Sequence, residues 1–472
     1  MTAQFPVKDD FLLPALLGKQ RAAFLRDGPP SAEQRRADLR KVKRGLLARQ
    51  SQFEAAVSKD FGHRSAYETR IMEVIPVVQA VNYLRRNVSK WMRPERRRVA
   101  LHFLPGRAGV VYQPLGVVGI VSPWNYPLSL ALMPLLSAIA AGNRVILKPS
   151  ELTPATSDLL KTMLRDIFPE DQVAVVTGGP EIGAAFSRLP FDHLVFTGST
   201  GVGRMVLKEA AENLVPVTLE LGGKSPTLIG PDADIGNAAG CVAYGKLANA
   251  GQTCIAPDYV LVHEKDADAF VASYEAMAAK FYPDGTPDQN YSSIVNDRQY
   301  ARLRGLIDDA TKRGARVIET TKNGSAGAHR LAPTIVLNAT DDMAVMREEI
   351  FGPILPIVTY RAMDEAIAYI NQRPRPLALY YFGRSSEDRQ KVLTRTTSGN
   401  LTINDTLMHY VQNDIPFGGV GHSGMGAYHG IEGFKTLSHA RGVFEQSRFN
   451  FGGLLRPPFG RMTDMVIRYL QR

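Results

Sequence analysis

Two cysteines occur among the 472 residues, and their surroundings differ. Cys254 ends the run Asn249-Ala250-Gly251-Gln252-Thr253-Cys254, which is polar, holds a glycine and reads as a loop. A thiol on a loop becomes a nucleophile once its proton is withdrawn, whereas a lone buried cysteine is usually a small inert hydrophobe. Cys241 falls in the apolar helical stretch 238–242 and reads as the inert kind. A second chemistry is suggested by Phe196-Thr197-Gly198-Ser199-Thr200-Gly201-Val202-Gly203, which follows a strand pattern and opens a helical one. Gly198, Ser199, Gly201 and Gly203 there form a candidate phosphate cradle, because helix N-terminal amides attract anions and glycines let them approach. A glycine turn alone is weak evidence; the strand–turn–helix setting strengthens it.

A dinucleotide site also needs a carboxylate for the ribose, about 20 residues further on. Glu220 meets that spacing, at the end of a strand pattern. A rival stands in Leu147-Lys148-Pro149-Ser150-Glu151, where Lys148 and Glu151 would bracket a ribose with one cation and one acceptor. Periodicity does not choose between them. Two further turns are suited to a site. Val121-Ser122-Pro123-Trp124-Asn125-Tyr126-Pro127 would present the Asn125 amide, and Glu348-Glu349-Ile350-Phe351-Gly352-Pro353 pairs an acid with an aromatic. Each taken alone could be a capping turn.

The elements that must position these residues follow from hydrophobic periodicity. The chain to about Asn87 reads as helices. Residues 97–103 and 109–113 flank Leu104-Pro105-Gly106 and read as a β-hairpin. Strand patterns at 116–121, 144–147, 173–177, 193–196 and 216–221 then alternate with helices, which predicts an α/β fold with a parallel, Rossmann-like sheet. A second α/β run starts near Ser225, with strands expected at 227–229, 259–262, 334–337, 355–360, 378–382 and 400–403. The apolar run 128–141, interrupted by Pro134, is too short to cross a bilayer and reads as a buried helix. The tail 449–472 ends in an amphipathic stretch at 462–470, expected to pack on a neighbour rather than to anchor in a membrane.

Composition excludes little and bounds much. Hydrophobic residues make up 44% and charged residues 22%, as in ordinary globular domains. The net charge of +10 lies partly in residues 35–49 and 93–98. In the first cluster Leu39, Val42, Leu46 and Leu47 alternate with the basic residues, so a solvated amphipathic helix is expected and no nucleic-acid partner. Two cysteines fit a reducing compartment. Residues 1–10 lack the apolar stretch of a secretory leader, and a cytoplasmic location is expected. The nine histidines, scattered without ligand spacing, read as surface or capping residues, with no metal site.

Taken together, the motif segments resemble the aldehyde dehydrogenase superfamily. The matching blocks are 123–127, 147–151, 196–203, 219–226, 251–254, 348–353 and 416–426, in family order, and the resemblance runs from the N-terminal helices to about His439. The run Pro416-Phe417-Gly418-Gly419-Val420-Gly421-His422-Ser423-Gly424-Met425-Gly426, followed by Tyr428-His429-Gly430, resembles the class 3 branch. Residues 404–434 as a whole are similar to bacterial coniferyl aldehyde dehydrogenases.

That resemblance implies a dinucleotide-binding domain from 1–95 and 115–224, a catalytic domain from 225–434, and a small β oligomerisation element from 96–114 and 435–448. It implies Cys254 as the nucleophile that forms a thiohemiacetal and then a thioester. Asn125 and the Cys254 amide become the oxyanion donors, and Glu220 the base for the hydrolytic water, with the Glu349 turn as the other candidate base. Lys148 and Glu151 then hold the adenosine ribose, Ser199 and the amides near Gly201 the pyrophosphate, and Glu349 with Phe351 the nicotinamide ribose. The cofactor expected is NAD, with NADP possible; the partners expected are an aldehyde, hydrophobic or aromatic, and a second copy of the chain in a dimer. Tyr67, Trp124, Tyr126, Tyr410 and Phe417 are candidates for an aromatic entrance. The competing readings are an acylating enzyme that uses coenzyme A, and a catalytically silent binding protein.

Overall fold

The computed structural model describes residues 12–320, 329–450 and 452–471. The leaderless reading of residues 1–10 therefore lies outside the described residues. Helices Leu12–Asp27, Ala32–Ala48, Gln50–Phe61 and Ile75–Trp91 open the chain. Ser31 caps the second of these, its side chain accepting from the Gln34 amide. Leu39, Val42 and Leu46 are fully buried, but Leu47 is 44% exposed. One helical position separates Leu46 from Leu47, about 100° of rotation, so both cannot face the core. Arg35 also departs from the expected solvated face. It is buried and donates to the carbonyls of Ala140 and Ala141, at the end of helix Ser129–Ala141. That helix, buried along its whole length with Pro134 inside it, is the apolar run of the sequence.

Three sheets follow. The first is parallel, with spatial order 217–221, 193–198, 117–121, 144–148, 173–175, and it gains a short antiparallel strand, Gly424–Met425, beside 217–221. The chain moves outward from 117–121, then returns to the other side of it at 193–198. A topological switch point thus lies between these two strands, where ligands settle at the carboxyl ends of an open sheet. The second sheet runs 316–319, 334–337, 354–360, 259–263, 226–229, 378–382, 400–403, parallel except for its first strand. Arg316–Glu319 is an exposed edge strand of four residues, too short and too polar for its alternation to stand out. The protein is therefore an α/β molecule of parallel sheets flanked by helices.

The third sheet is antiparallel: Glu95–Arg97, Arg107–Pro114 and Ser438–Glu445. The hairpin starts earlier than expected, and residues 101–103 form a 3-10 turn instead of a strand. Nearly all of strand Ser438–Glu445 is exposed, and it lies at the sheet edge. Helix Arg461–Leu470 closes the description, with Met462, Met465 and Tyr469 exposed. No helix among the described residues is long and apolar enough to cross a membrane.

Candidate active site

The loop after strand Val117–Val121 carries Asn125, and a buried network holds it. Arg64 Nη1 donates to the Asn125 carbonyl at 3.1 Å and to Glu73 Oε1 at 3.1 Å, with neither charged side chain exposed. Glu73 Oε2 accepts from the amides of Leu128 and Ser129, at 2.7 and 3.1 Å, and so serves the N-terminus of helix Ser129–Ala141. Glu73 itself sits in a π-helical turn, Arg70–Val74, which offsets it from the regular helix that follows. The Arg64 guanidinium also lies over the rings of Tyr126 and Phe61, 4.7 and 5.2 Å from their centroids. A desolvated ion pair of this kind holds its geometry only when its hydrogen bonds are made.

The cysteine loop packs onto the same carbonyl. Asn249 Nδ2 donates to the Asn125 carbonyl at 3.0 Å and to the Gln252 carbonyl at 3.2 Å. The Asn125 side-chain amide donates to the Gln252 carbonyl at 3.1 Å. Gln252 in turn binds Asn249 O, Ser293 O and the Val295 amide. Three consecutive residues, Asn249, Ala250 and Gly251, have left-handed backbone, with φ of 53°, 51° and 75°. Such strain persists only where surrounding contacts over-determine it. It turns the chain sharply before Thr253, whose hydroxyl meets that of Tyr126 at 2.7 Å, and Cys254.

Cys254 is half-buried. Burial pushes its thiol up to about 12, helped by the charges of Glu349 and Glu220. An apolar pocket opens before it, lined by Ile71, Met72, Leu130, Tyr244 and Met408 together with Tyr126 and Tyr410. Of the aromatics considered for an entrance, Tyr126 and Tyr410 therefore line the pocket. Trp124 instead packs between Phe61 and Phe351, at 6.1 and 5.4 Å. Phe417 is buried and stacks with His409 and His429. Tyr67 is exposed, with the Arg70 guanidinium over its ring.

Glu220 lies inside strand Val217–Leu221, between Thr197 on one neighbouring strand and Gly424 on the other. It is buried, and neither carboxylate oxygen has a hydrogen-bond partner. Burial alone raises its pKa well above the usual carboxylate range.

The remaining candidates gather at the carboxyl edge of the first sheet. Lys148 ends the strand next to 117–121, and its buried Nζ binds Glu151 Oε2 at 3.1 Å. Ser199 caps helix Thr200–Ala211 through the Val202 amide. A Cβ on Gly201 would meet only open space, one on Gly203 would strike Leu221 at 2.6 Å, and one on Gly198 would strike the Phe196 ring at 2.6 Å. The helix end is thus open to an anion while its base is packed tight. Glu349 reaches back to Gly222, where a Cβ would come 2.0 Å from Glu349 Oε2. Its Oε1 is buried without a partner, and burial and the Asp258 charge raise the carboxyl to about 8. Arg302 fixes the turn through the carbonyls of Glu349 and Ile350, and the Lys224–Asp258 pair fixes it from the other side. An orphan carboxylate oxygen, an open helix N-terminus and a Lys–Glu pair along one sheet edge suit the two riboses and pyrophosphate of a nicotinamide dinucleotide.

The sequence reading missed Arg64, Glu73, Asn249 and Gln252 as parts of this site. The last two stood inside a quoted motif, yet their partners lie on another loop. Arg64 and Glu73 read as ordinary members of the N-terminal helices. The histidine expectation also needs correction. His193, His409 and His429 are buried, and desolvation lowers them to about 4, 4 and 3.

Comparison with known proteins identifies the family of the chain. The aldehyde dehydrogenase family model matches residues 19–443. A probable coniferyl aldehyde dehydrogenase of Pseudomonas aeruginosa is 51% identical over 96% of this chain and 95% of its own. A coniferyl aldehyde dehydrogenase of a Pseudomonas species is 46% identical, over 97% of this chain and 96% of its own. Among solved structures, the substrate-bound AldH of Staphylococcus aureus superposes with a TM-score of 0.91 at 36% identity, covering 97% of this chain and 99% of its own. An NAD+ complex of a Mycobacterium tuberculosis aldehyde dehydrogenase gives 0.84 at 29%, covering 93% and 91%. The chain belongs to the aldehyde dehydrogenase family and is an NAD(P)-dependent enzyme of aldehyde oxidation.

Proposed function

We propose that Cys254 attacks the aldehyde and Glu220 activates the water that later releases the acid. The observation that carries this reading is the meeting of three motifs from separate parts of the chain. The Asn125 amide is tied to the Cys254 loop through Gln252, and the Cys254 thiol lies within the influence of Glu220. Sγ bonds to the carbonyl carbon, and the developing oxyanion takes hydrogen bonds from Asn125 Nδ2 and the Cys254 amide. A nicotinamide, when bound, would supply the acceptor for the hydride lost as the thiohemiacetal is oxidised to a thioester. Glu349 and the Lys148–Glu151 pair would orient its two riboses, and Ser199 with the amides near Gly201 would hold its pyrophosphate. Glu220 takes a proton from water as its oxygen attacks the thioester, and the acid leaves. Burial raises its pKa and so makes it a stronger base than an ordinary carboxylate.

The apolar pocket, walled by Met72, Leu130 and Met408 with the rings of Tyr126 and Tyr410, supports a hydrophobic or aromatic aldehyde such as coniferyl aldehyde as substrate. The acylating alternative is not favoured, because the base for water is present. The exposed edge strand Ser438–Glu445 supports a homodimer. The direct test is Glu220→Gln incubated with NAD and an aldehyde. Mass spectrometry is expected to show an acyl group on the Cys254 peptide while acid release stalls. Free thiol together with normal acid release sinks the reading.

A further inference from the structure

A single stretch of the N-terminal region, from Arg64 to Glu73, touches several parts of the site. Arg64 holds the Asn125 carbonyl, Glu73 holds the amides of Leu128 and Ser129, and Ile71 and Met72 wall the apolar pocket. Glu68 lies between them, in the short helix Ala66–Thr69 that Ser65 caps through the Tyr67 amide. Its side chain meets the cysteine loop: Glu68 Oε1 accepts from the backbone amide of Asn249 at 2.9 Å. Glu68 Oε2 accepts from the Ser292 hydroxyl. None of the proposed chemical steps uses Glu68.

These bonds close a ring around the turn. The Gln252 side-chain amide donates to Asn249 O at 2.9 Å and to Ser293 O at 3.0 Å, and the neighbouring Ser292 leads back to Glu68. Residues 290–293 are themselves fastened to the chain just before the short helix. The Ser293 amide donates to His63 O at 2.9 Å, and the Ser65 hydroxyl donates to Asn290 Oδ1 at 3.3 Å. Asn249 opens the left-handed run that leads to Cys254, with φ of 53°, and it is fully buried. A carboxylate gains nothing from helix Ile235–Leu247, which ends beside it, because the dipole at that end repels negative charge. What it serves is the loop: a buried amide without an acceptor is costly, and strained backbone persists only under such constraint. The main-chain N–H of Asn249 thus fastens the turn to Glu68, while its Nδ2 fastens it to the Asn125 carbonyl at 3.0 Å.

We propose that Glu68 is a positioning residue for the attack on the aldehyde: by holding the Asn249 amide it sets the turn that presents Cys254 beside Asn125. The inference rests on Cys254 being the nucleophile. With the acceptor withdrawn, the Asn249 peptide rotates toward ordinary backbone angles. Asn249 Nδ2 then leaves the Asn125 carbonyl, and the thiol and the Asn125 amide lose their shared frame. A displacement of about 1 Å at the reacting atoms is enough to cost about 100-fold in rate. Glu68 does not line the apolar pocket, so the loss falls on the rate at saturation and not on aldehyde binding.

The experiment uses full-length enzyme, NAD and a benzylic aldehyde in stopped flow, with the NADH burst followed over a range of aldehyde concentrations. Glu68→Gln keeps an acceptor at the same reach and offers Ser292 a donor in place of an acceptor. Glu68→Asp keeps the charge but withdraws it by one methylene, and Glu68→Met fills the space without an acceptor. The maximal burst rate of Glu68→Gln is expected to stay within about threefold of wild type, and that of Glu68→Asp and Glu68→Met to fall about tenfold or more. In all three, the aldehyde concentration at half-maximal burst and the NAD affinity, from fluorescence titration, are expected to stay within about twofold. A wild-type burst in Glu68→Asp or Glu68→Met overturns the proposal, as does a Glu68→Gln burst as low as that of Glu68→Met. A raised half-saturating aldehyde concentration with an unchanged maximum also overturns it, since Glu68 then acts on the pocket wall through Ile71 and Met72. Cys254→Ser separates the two levels: if it keeps the NADH burst, the nucleophile assignment fails whatever the Glu68 variants do.

Discussion

Asn125, Cys254 and Glu220 are three side chains whose chemistry depends on what surrounds them. Asn125 Nδ2 carries two N–H bonds; the Gln252 carbonyl takes one and the other remains for an oxyanion. Asn125→Ala is expected to slow the NADH burst by about 10²–10³ with NAD affinity unchanged, read by stopped flow and by fluorescence titration. Cys254 and Glu220 share a pH signature. In the proposed roles each works without its proton, and each has its pKa raised, to about 12 for the thiol and well above the usual range for the carboxyl. The working forms therefore grow as pH rises, and turnover is expected to climb from mildly acidic to mildly alkaline solution. Glu220→Gln is expected to flatten the deacylation limb and leave that of the burst, since the thiol still titrates. A wild-type profile that falls with pH over that range contradicts the assignment.

At the scale of elements, the site depends on two loops that share one carbonyl. Arg64 and Asn249 both donate to Asn125 O, so the N-terminal helices and the cysteine loop are coupled through it. Arg64→Met leaves Glu73 charged, buried and unpaired, which is expected to cost about 3–5 kcal/mol. The double variant Arg64→Met with Glu73→Gln is expected to recover part of the thermal stability but less of the burst rate, because the Asn125 loop is still loose. Gly251 makes a second coupling. Its φ is 75°, and a Cβ there would come 2.3 Å from the Gly352 carbonyl, in the turn that carries Glu349 and Phe351. Gly251→Ala is expected to strain both loops, lowering the melting temperature and raising KM for NAD as well as lowering kcat.

For the whole molecule, the first sheet supplies the cofactor edge, the second sheet the cysteine loop and the Glu349 turn, and the third sheet an exposed flank. Phe444 and Val443 are 49% and 43% exposed on the edge strand of that flank. An edge strand with apolar side chains and free backbone groups invites a second copy. Phe444→Asp is expected to shift the mass seen by light scattering from dimer to monomer while NAD binding persists. A wild-type monomer removes the basis for that prediction.

Much of this was legible in one dimension because the physical signals are local. Most strands of the two parallel sheets read as short β-branched runs, the buried helix Ser129–Ala141 as an apolar stretch interrupted by Pro134, and the glycine turn as a glycine turn. The Asn125, Cys254 and Glu349 segments stood out as unusual turns, and their order along the chain carried the family. What the sequence could not order was long-range. The choice between Glu151 and Glu220 rests on surroundings that only the packed sheet shows: Lys148 and Glu151 leave the carboxyl end of the strand one place beyond the switch point on one side, while Glu220 is buried within the strand one place beyond it on the other. The Arg64–Glu73 support, the burial of His193, His409 and His429, and the exposure of Leu47 arise from packing between distant segments. Periodicity cannot report them, because it records which face of an element is apolar and not what that face meets. Cys254 was visible as a loop thiol from the start; only the tertiary structure brought Asn125 to one side of its loop and the unpartnered carboxylate of Glu220 within reach of its charge.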